Sequence, residues 1–331
     1  MTATARGRAR SAVVAGFAAV LAAHAWLAVR VETDRPHWRD PEFFQRTRAA
    51  KELVRSDSRP LLAILGGSRA QMGIDPERLP QDHLAFNFSQ SGCLPVGTWL
   101  NFTRLHDEGL LPRRILIEVL PPVLADGGPA EARLVSSRLS ASELERLEPF
   151  DADPEEARSE WRSSRVVPWL SLRSPLRTAA GFEERLPPMS ARGWSPAPKY
   201  DVRPEERERR TVIARGTYGW LLDNFAVHPA NDRAFRMILD SCRERGIRAA
   251  LFTMPESPRF RGWYSAEART RIRDWFRTMS EEYQVPVFDT SEWMNDEAAF
   301  LDGHHLQRAA AERFSDRFAR ECVEPWLASK P

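Results

Sequence analysis

The chain has 331 residues, of which 42% are hydrophobic and 28% are charged. This composition supplies enough apolar material for a large core and excludes a disordered or fibrous chain. The 48 basic and 46 acidic residues nearly balance at a net charge of +2, so no basic face of the kind that binds nucleic acid is predicted. Three scattered cysteines (Cys93, Cys242 and Cys322) exclude a disulfide framework or a zinc motif, and we expect each to be buried.

The N-terminus combines a basic cluster with a long uncharged run. Arg6, Arg8 and Arg10 precede residues 11–29, which carry no formal charge and would form a helix about 28 Å long. That length just crosses the hydrocarbon core of a bilayer. Positive charge before the run and acids after it place the N-terminus inside the cytoplasm and the bulk of the chain outside. We therefore predict a signal anchor with its spacer over residues 1–33.

A cleaved signal peptide is the alternative interpretation of this segment. Ala23-His24-Ala25 has the small-x-small pattern of a cleavage site. The apolar run continues beyond that site through Val29, which makes it longer than the usual core of a signal peptide. This continuation favours an uncleaved anchor. Under either interpretation the main domain lies outside the cytoplasm, in the periplasm or the extracellular space.

Short apolar runs alternate with amphipathic segments in two parts of the chain. The run Leu61 to Leu65 is typical of a strand that is covered on both faces, as in a parallel sheet. The patterns predict strands at 61–65, 84–88, 114–120, 247–254 and 285–289, and helices at 43–54, 97–109, 231–245, 265–283 and 309–326. Strand, helix and strand at this spacing indicate β-α-β units and an α/β fold.

The middle of the chain lacks this alternation. It is broken by prolines, charged and contains several tryptophans and short helical fragments, so we predict a largely helical insertion or cap. The predicted domains are the anchor over residues 1–33, the first half of the α/β domain over 34–125, the insertion over 126–227 and the second half over 228–331.

The loop after the first predicted strand is the first candidate for chemistry. Functional groups in open parallel sheets collect at the carboxyl ends of the strands. Gly66 and Gly67 permit a tight turn at that position, and Ser68 would present its hydroxyl and its backbone N–H at the top of the sheet. Taken alone, the segment also fits a simple glycine turn with a capping serine.

A second polar cluster stands just before the last predicted helix, at Asp302, His304 and His305. An imidazole takes the proton of a serine near neutral pH, and a carboxylate orients that imidazole. Asp302 and His305 are three residues apart, so a turn would direct both side chains to one crevice, and this spacing favours His305 over His304. The alternatives are a capping aspartate with exposed histidines, or a histidine pair that binds a metal.

These two segments together resemble the SGNH/GDSL hydrolase superfamily. Gly66-Gly67-Ser68 follows the first strand, and Asp302-Gly303-His304-His305-Leu306 precedes the final helix, as the corresponding blocks do in that family. The resemblance implies a three-layer, flavodoxin-like parallel sheet. It also implies Ser68 as the nucleophile, His305 as the base and Asp302 as the orienting acid, with neither a metal nor an organic cofactor.

The resemblance implies an oxyanion hole that is only partly present. Its backbone N–H donors would be those of Ser68 and Gly92, but Pro121-Pro122 stand where the family has an oxyanion asparagine. Loss of one such donor costs about 2.7–4 kcal/mol of transition-state stabilisation. Asn87 and the side chain of Arg69 are the candidate replacements.

The family usually has an acid directly before the serine, and this chain has Gly67 there. Two further acids lie near the same edge of the predicted sheet. Glu118 stands in an apolar strand, and Glu256 follows Met254-Pro255. We expect Glu118 to pair with a neighbouring arginine and not to take part in catalysis.

The predicted layout is similar to that of proteins that add or remove O-acyl groups on envelope polysaccharides, some of which work beside multi-pass membrane acyltransferases. We therefore expect a membrane-bound serine esterase or O-acyltransferase that acts on an acyl ester or a glycan, with no nucleic-acid partner. The alternative is a non-catalytic envelope protein that keeps this fold for binding or assembly, which the missing oxyanion asparagine favours.

Overall fold

A computed structural model describes residues 3–33, 38–125, 136–150, 153–182, 186, 188–199 and 202–329. Residues 34–37 of the predicted first half and residues 126–135 of the predicted insertion lie outside the described residues. The chain divides into two compact units. The anchor unit comprises residues 1–44 and 135–186, and the sheet unit comprises residues 45–134 and 187–331. The boundaries of the four predicted domains stay a prediction.

The sheet unit is built on five parallel strands. They are β1 (Leu61–Leu65), β2 (Leu84–Asn87), β3 (Arg114–Glu118), β4 (Arg248–Phe252) and β5 (Val287–Phe288). Their order in the sheet is β2-β1-β3-β4-β5, and every pairing is parallel. This is the flavodoxin-like strand order. The predicted fold class is therefore confirmed.

The α-helices are numbered in chain order through both units. They are α1 (Ala3–Thr33), α2 (Pro41–Ser56), α3 (Ser68–Gly73), α4 (Pro95–Asp107), α5 (Pro121–Leu124), α6 (Ala141–Leu147), α7 (Pro154–Val166), α8 (Pro168–Ser171), α9 (Arg173–Ala179), α10 (Pro204–Asp223), α11 (Pro229–Glu244), α12 (Pro258–Arg261), α13 (Ala266–Tyr283), α14 (Arg308–Phe318) and α15 (Glu324–Ala328). Local sequence sets several of their ends. The hydroxyl of Ser265 caps α13 by accepting the N–H of Ala268 at 3.1 Å. The described part of 136–227 contains no strand, as a largely helical insertion requires.

Side chains alternate between the two faces of the sheet, and both faces are buried. Leu62, Ile64, Leu116 and Phe252 belong to one core cluster with residues of α3 and α14. The strand residues between them point to the opposite face, where α4 contacts β1 and α11 contacts β4. Two helical layers therefore cover the sheet, which explains why its strands are continuously apolar.

The anchor unit contains one helix that is long and apolar enough to span a membrane, at Arg10–Thr33. Its apolar side chains are largely exposed, with Val13 at 71% and Phe17 at 66%. A core helix of a soluble protein would bury such side chains, so this exposure fits an N-terminal membrane helix. Near the end of α1, Leu27 and Val31 are buried against Leu172.

Candidate active site

In the sheet, β2 lies on one side of β1 and β3 lies on the other, so the direction in which successive strands are added reverses at β1. A doubly wound sheet opens a crevice at this switch point, beyond the carboxyl ends of the strands. A pocket of about 80 Å³ lies there. It is lined by Gly67, Ser68, Arg69, Gly92, Cys93, Leu94, Pro95, Thr98, Glu118, Leu120, Val123, Tyr218 and Phe235.

Ser68 is the first residue of α3, directly after the loop that ends β1. Its Oγ lies 2.6 Å from Nε2 of His305, a residue 237 positions later in the chain. This distance is within the range of a strong hydrogen bond. The serine and the histidine that the sequence analysis selected therefore meet at the edge of the pocket.

The loop that carries Asp302 and His305 is fixed by backbone contacts at both ends. Phe300 and Leu306 form an isolated antiparallel bridge, and the N–H of Leu301 donates to the carbonyl of His305 at 2.8 Å. Gly303 takes a φ of +94° within this loop, a conformation that favours glycine. The result is a closed turn that holds the side chains of Asp302 and His305 next to each other.

The carboxylate of Asp302 orients His305. Asp302 Oδ2 lies 2.7 Å from His305 Nδ1, and Oδ1 accepts the backbone N–H of His305 at 2.9 Å. This arrangement assigns the ring proton to Nδ1 and leaves Nε2 to accept from Ser68. Burial of the carboxyl opposes its ionisation, but the adjoining rings of His304 and His305 outweigh that effect and hold the pKa of Asp302 well below its usual range.

His304 is placed differently from His305. Its ring packs against those of Tyr218 and Phe260, with centroids 5.2 Å away in both cases. Its Nδ1 lies 3.1 Å from Asp302 Oδ1 without the geometry of a hydrogen bond. Burial, together with the neighbouring His305, lowers the pKa of His304 to about 4. It is therefore a neutral packing residue at neutral pH.

A buried ion cluster lies beneath Ser68. The guanidinium of Arg69 sits 3.5 Å from Glu118 Oε1 and 3.2 Å from Glu256 Oε1, and all three side chains are almost completely buried. Burial raises the pKa of both Glu118 and Glu256, and Arg69 opposes that rise. The expected pairing of Glu118 with a neighbouring arginine is thus present. Because Arg69 is engaged by two carboxylates, its side chain does not replace the missing oxyanion donor.

Glu118 also holds the serine loop directly, a role that the sequence analysis missed. Its Oε2 accepts the backbone N–H groups of Gly67 at 2.8 Å and of Ala70 at 3.2 Å. A Cβ atom on Gly66 would lie 2.5 Å from Glu118 Oε2, so only glycine fits at that position. The sequence showed only an acid at the end of an apolar strand, and its contacts with Gly67 and Ala70 join segments that are 51 and 48 residues apart.

The predicted oxyanion residues do not all reach the pocket. Ser68 and Gly92 line it, with Gly92 at a φ of +68°. Asn87 does not: it is fully buried and donates its side-chain amide to the carbonyls of Ala70 and Ile74 at 2.8 and 3.0 Å. Asn87 is therefore removed from the candidate donors, because it stabilises α3 from below.

The position of the missing asparagine is occupied by an apolar wall. Leu120 precedes the prolines that open α5 and lines the pocket together with Val123. Phe235 of α11 completes this wall, and Tyr218 of α10 lines the same pocket. Tyr218 lies in the predicted insertion, which gave no sign in the sequence of contributing to the site.

Asp302, His304 and His305 also have ligand atoms within 4.8 Å of one another, which is close enough to hold a metal ion. Both oxygens of Asp302 and both ring nitrogens of His305 already make the contacts described above. A metal would have to replace these contacts, so the donor set fits a hydrogen-bonded relay better than a metal centre.

A larger cleft of about 250 Å³ lies elsewhere in the sheet unit, lined by Trp293, Met294, Asn295, Asp296, Ala299, Arg313, Phe314 and Arg317. None of Ser68, Asp302 and His305 lines it. We place the candidate chemistry in the smaller pocket, because that pocket contains Ser68 at the end of β1.

No protein-family profile matches the chain, and no curated protein matches it. One similar solved structure is the crystal structure of a Bacteroides fragilis protein to which an acylhydrolase activity is attributed. The two are 9% identical, with a TM-score of 0.41, over 85% of this chain and 96% of that chain. A similarity this low carries no argument about the fold or the reaction of this chain.

Proposed function

We propose that this chain is a membrane-anchored enzyme that cleaves or transfers acyl esters, with Ser68 as its nucleophile. The single observation that supports this most strongly is the relay from Ser68 Oγ to His305 Nε2 at 2.6 Å and from His305 Nδ1 to Asp302 Oδ2 at 2.7 Å. A nucleophile, a base and an orienting acid in this order define the serine triad. The relay ends at a pocket that is large enough to admit a small acyl group.

The proposed reaction follows from these positions. Ser68 Oγ attacks the ester carbonyl carbon while its proton passes to His305 Nε2. The tetrahedral intermediate then collapses to an acyl-serine, and the departing alcohol takes the proton from His305. Water or an acceptor hydroxyl attacks the acyl-serine next and gives its proton to His305. His305 returns that proton to Ser68 as the acylated product leaves, and Asp302 stabilises the imidazolium in both halves.

The oxyanion would be stabilised by backbone groups alone. The N–H groups of Ser68, at the start of α3, and of Gly92, in the loop after β2, belong to residues that line the pocket. The apolar wall of Leu120 and Val123 provides no third donor. We therefore propose an enzyme with a two-donor oxyanion hole.

The size of the pocket favours a short acyl group. Its volume of about 80 Å³ is small for a ligand pocket. The wall of Leu120, Val123 and Phe235 is apolar, which suits a methyl or ethyl group next to the reacting carbonyl. An acetyl ester is the substrate that this geometry favours.

The proposal also includes a place in the cell. The arginines before the apolar run of α1 favour a cytoplasmic N-terminus and a sheet unit outside the cytoplasm. In that compartment the ester or acceptor would be a component of the cell envelope, such as a polysaccharide. The expected action beside a multi-pass membrane acyltransferase stays a prediction.

The non-catalytic alternative predicts a different distance between the serine and the histidine. A binding or assembly protein needs no contact between a serine and a histidine, and a separated pair would favour it. The 2.6 Å distance between Ser68 Oγ and His305 Nε2 supports the catalytic proposal instead.

The test is ester hydrolysis by the full-length protein in detergent, with p-nitrophenyl acetate as substrate. We expect Ser68→Ala to abolish turnover and Ser56→Ala, which changes an exposed serine at the end of α2, to leave it unchanged. Equal turnover by the wild type and Ser68→Ala would overturn the assignment of the nucleophile. A folded wild type with no turnover on any short acyl ester would support the non-catalytic alternative.

A further inference from the structure

The anchor unit carries an apolar surface beside α1. Val166 ends α7, and Trp169 and Leu170 belong to α8. These side chains are 67%, 44% and 71% exposed, respectively. Three exposed large apolar groups therefore lie within five consecutive residues, an arrangement that a soluble surface usually avoids. We call Val166, Trp169 and Leu170 the α8 face.

Contacts with α1 fix the α8 face beside a particular part of that helix. The ring of Trp169 contacts that of His24 edge-on, with centroids 5.5 Å apart. In the next turns of α1, Leu27 and Val31 pack against Leu172 at the end of α8. The face therefore lies alongside the last turns of the apolar run of α1.

The length of the uncharged run constrains which residues of α1 lie inside the bilayer. Residues 11–29 give an uncharged helix of about 28 Å, which only just matches a hydrocarbon core of about 30 Å. If the helix left the membrane at His24, the remaining residues 11–23 would span only about 20 Å. Val29 must therefore lie near the outer boundary, with His24 about 8 Å further in.

Polar contacts begin just beyond Val29, on the outer side of the hydrocarbon core. Glu32, the one acid of α1, lies 3.2 Å from Nη2 of Arg165 and accepts the N–H of Ala141 at 2.9 Å. The guanidinium of Arg165 in turn stacks over the ring of Trp161 at 4.7 Å. The anchor unit thus changes from apolar to charged contacts within about two turns of α1, as a protein does where it leaves a bilayer.

We propose that the α8 face is a second membrane contact that inserts into the outer leaflet beside α1. Because Trp169 touches His24, a bilayer that contains residues 11–29 must also surround Trp169. Arg173 and Arg177 follow the α8 face in the chain, and their charge suits the anionic headgroups above the outer boundary.

This inference depends on the anchor that belongs to the proposed function, but not on the chemistry of Ser68. A protein partner is the other kind of occupant for an exposed apolar face. Lipid is favoured because the face is continuous with the membrane-spanning run of α1 through Trp169 and His24.

The test uses spin labels on the full-length protein in nanodiscs of phosphatidylethanolamine and phosphatidylglycerol. Single cysteines replace Leu170 on the α8 face, Val20 in the middle of α1 and Glu155 on the exposed side of α7. The three native cysteines are buried, and the unsubstituted protein gives the background label. Oxygen concentrates in lipid and a nickel chelate stays in water, so their relative effects on each label report its surroundings.

We expect the ratio of oxygen to nickel accessibility at Leu170→Cys to exceed that at Glu155→Cys several-fold and to approach that at Val20→Cys. If Val20→Cys reports lipid while Leu170→Cys resembles Glu155→Cys, the inference is wrong and the anchor stands. That result would leave the face to a protein partner. If Val20→Cys reports water, the anchor and the inference fail together.

Discussion

Glu118 Oε2 accepts the backbone N–H of Gly67 at 2.8 Å, so a carboxylate from the end of β3 fixes the residue that directly precedes Ser68. Gly66 gives this carboxylate its room, because a Cβ atom there would come within 2.5 Å of Glu118. The position of Ser68 beside His305 therefore depends on a carboxylate from another strand of the sheet.

This relationship predicts a severe effect of Gly66→Ala. The added methyl group would displace Glu118 or the serine loop, so we expect lower ester hydrolysis and a lower free energy of unfolding by roughly 1–3 kcal/mol, as for other overpacked sites. Urea unfolding and turnover of p-nitrophenyl acetate measure the two effects. Gly216→Ala is the matched control, because nothing lies within 4 Å of a Cβ there and alanine favours the helix. Equal effects of the two substitutions would contradict the role of Gly66.

The ion cluster predicts that Arg69 matters more than a surface arginine. Arg69→Met leaves the buried carboxylates of Glu118 and Glu256 without their cation, and breaking a buried pair in this way costs about 3–5 kcal/mol. Arg48→Met breaks an exposed pair with Glu52 and should cost less than about 1 kcal/mol. Chemical denaturation of the two variants checks this difference. Similar unfolding midpoints would show that the cluster does not stabilise the serine loop.

The orienting role of Asp302 predicts a loss of rate in Asp302→Asn. An amide in this place no longer fixes the proton on His305 Nδ1, and the same change in a serine protease triad lowers kcat about 10⁴-fold. Asp316→Asn, in an exposed pair with Arg78, is the control for a general effect of losing an acid. Steady-state kinetics with a circular dichroism check of folding measures both. An Asp302→Asn enzyme of nearly wild-type rate would exclude Asp302 from the triad.

The buried imidazole of His304 predicts a loss of stability in mild acid. The pKa of His304 is about 4 in the folded protein and near 6.5 when the chain is unfolded. Between these values the unfolded state binds the proton and the folded state does not, so stability is complete above about pH 6.5 and falls as the pH drops toward 4. We expect the free energy of unfolding to fall less over this range in His304→Gln. Parallel pH profiles for the two proteins would contradict the buried neutral state of His304.

The apolar wall predicts selectivity for short acyl chains. Acetyl esters should turn over faster than butyryl esters, and octanoyl esters should be poor substrates, because the pocket has a volume of only about 80 Å³. Leu120→Ala opens this wall and should raise the kcat/KM for butyryl relative to acetyl esters. A Leu111→Ala control changes an exposed leucine and should leave the ratio unchanged. A profile that is flat with chain length in the wild type would argue against this pocket as the acyl site.

The sequence predicted the sheet well because its strands are buried on both faces. The run Leu61 to Leu65 is apolar at every position, and the observed strand has the same bounds. Helix ends were also close to prediction, since Ser265 and Gly246 carry local signals for a cap and a stop. Strand lengths were overestimated by one residue for β2, by two for β3 and by three each for β4 and β5, because apolar residues such as Leu120, Met254 and Val285 lie just outside the ladder.

The candidate site was predicted in part. Ser68 and His305 were selected because a glycine turn and an aspartate three residues before a histidine are local patterns. The places of Glu118, Tyr218 and His304 depend on contacts between distant segments, which no local pattern encodes. Asn87 was misjudged as an oxyanion donor for the same reason, since its amide bonds to the carbonyls of α3 below the pocket.

The most direct test of the central claim is covalent labelling with a fluorophosphonate, followed by mass spectrometry of the digested protein. Activation of Ser68 by His305 predicts one phosphonyl group on the peptide that contains Ser68. That adduct should be absent in Ser68→Ala and strongly reduced in His305→Ala. Labelling of the wild type on another residue, or equal labelling of Ser68 after removal of His305, would contradict the proposed triad.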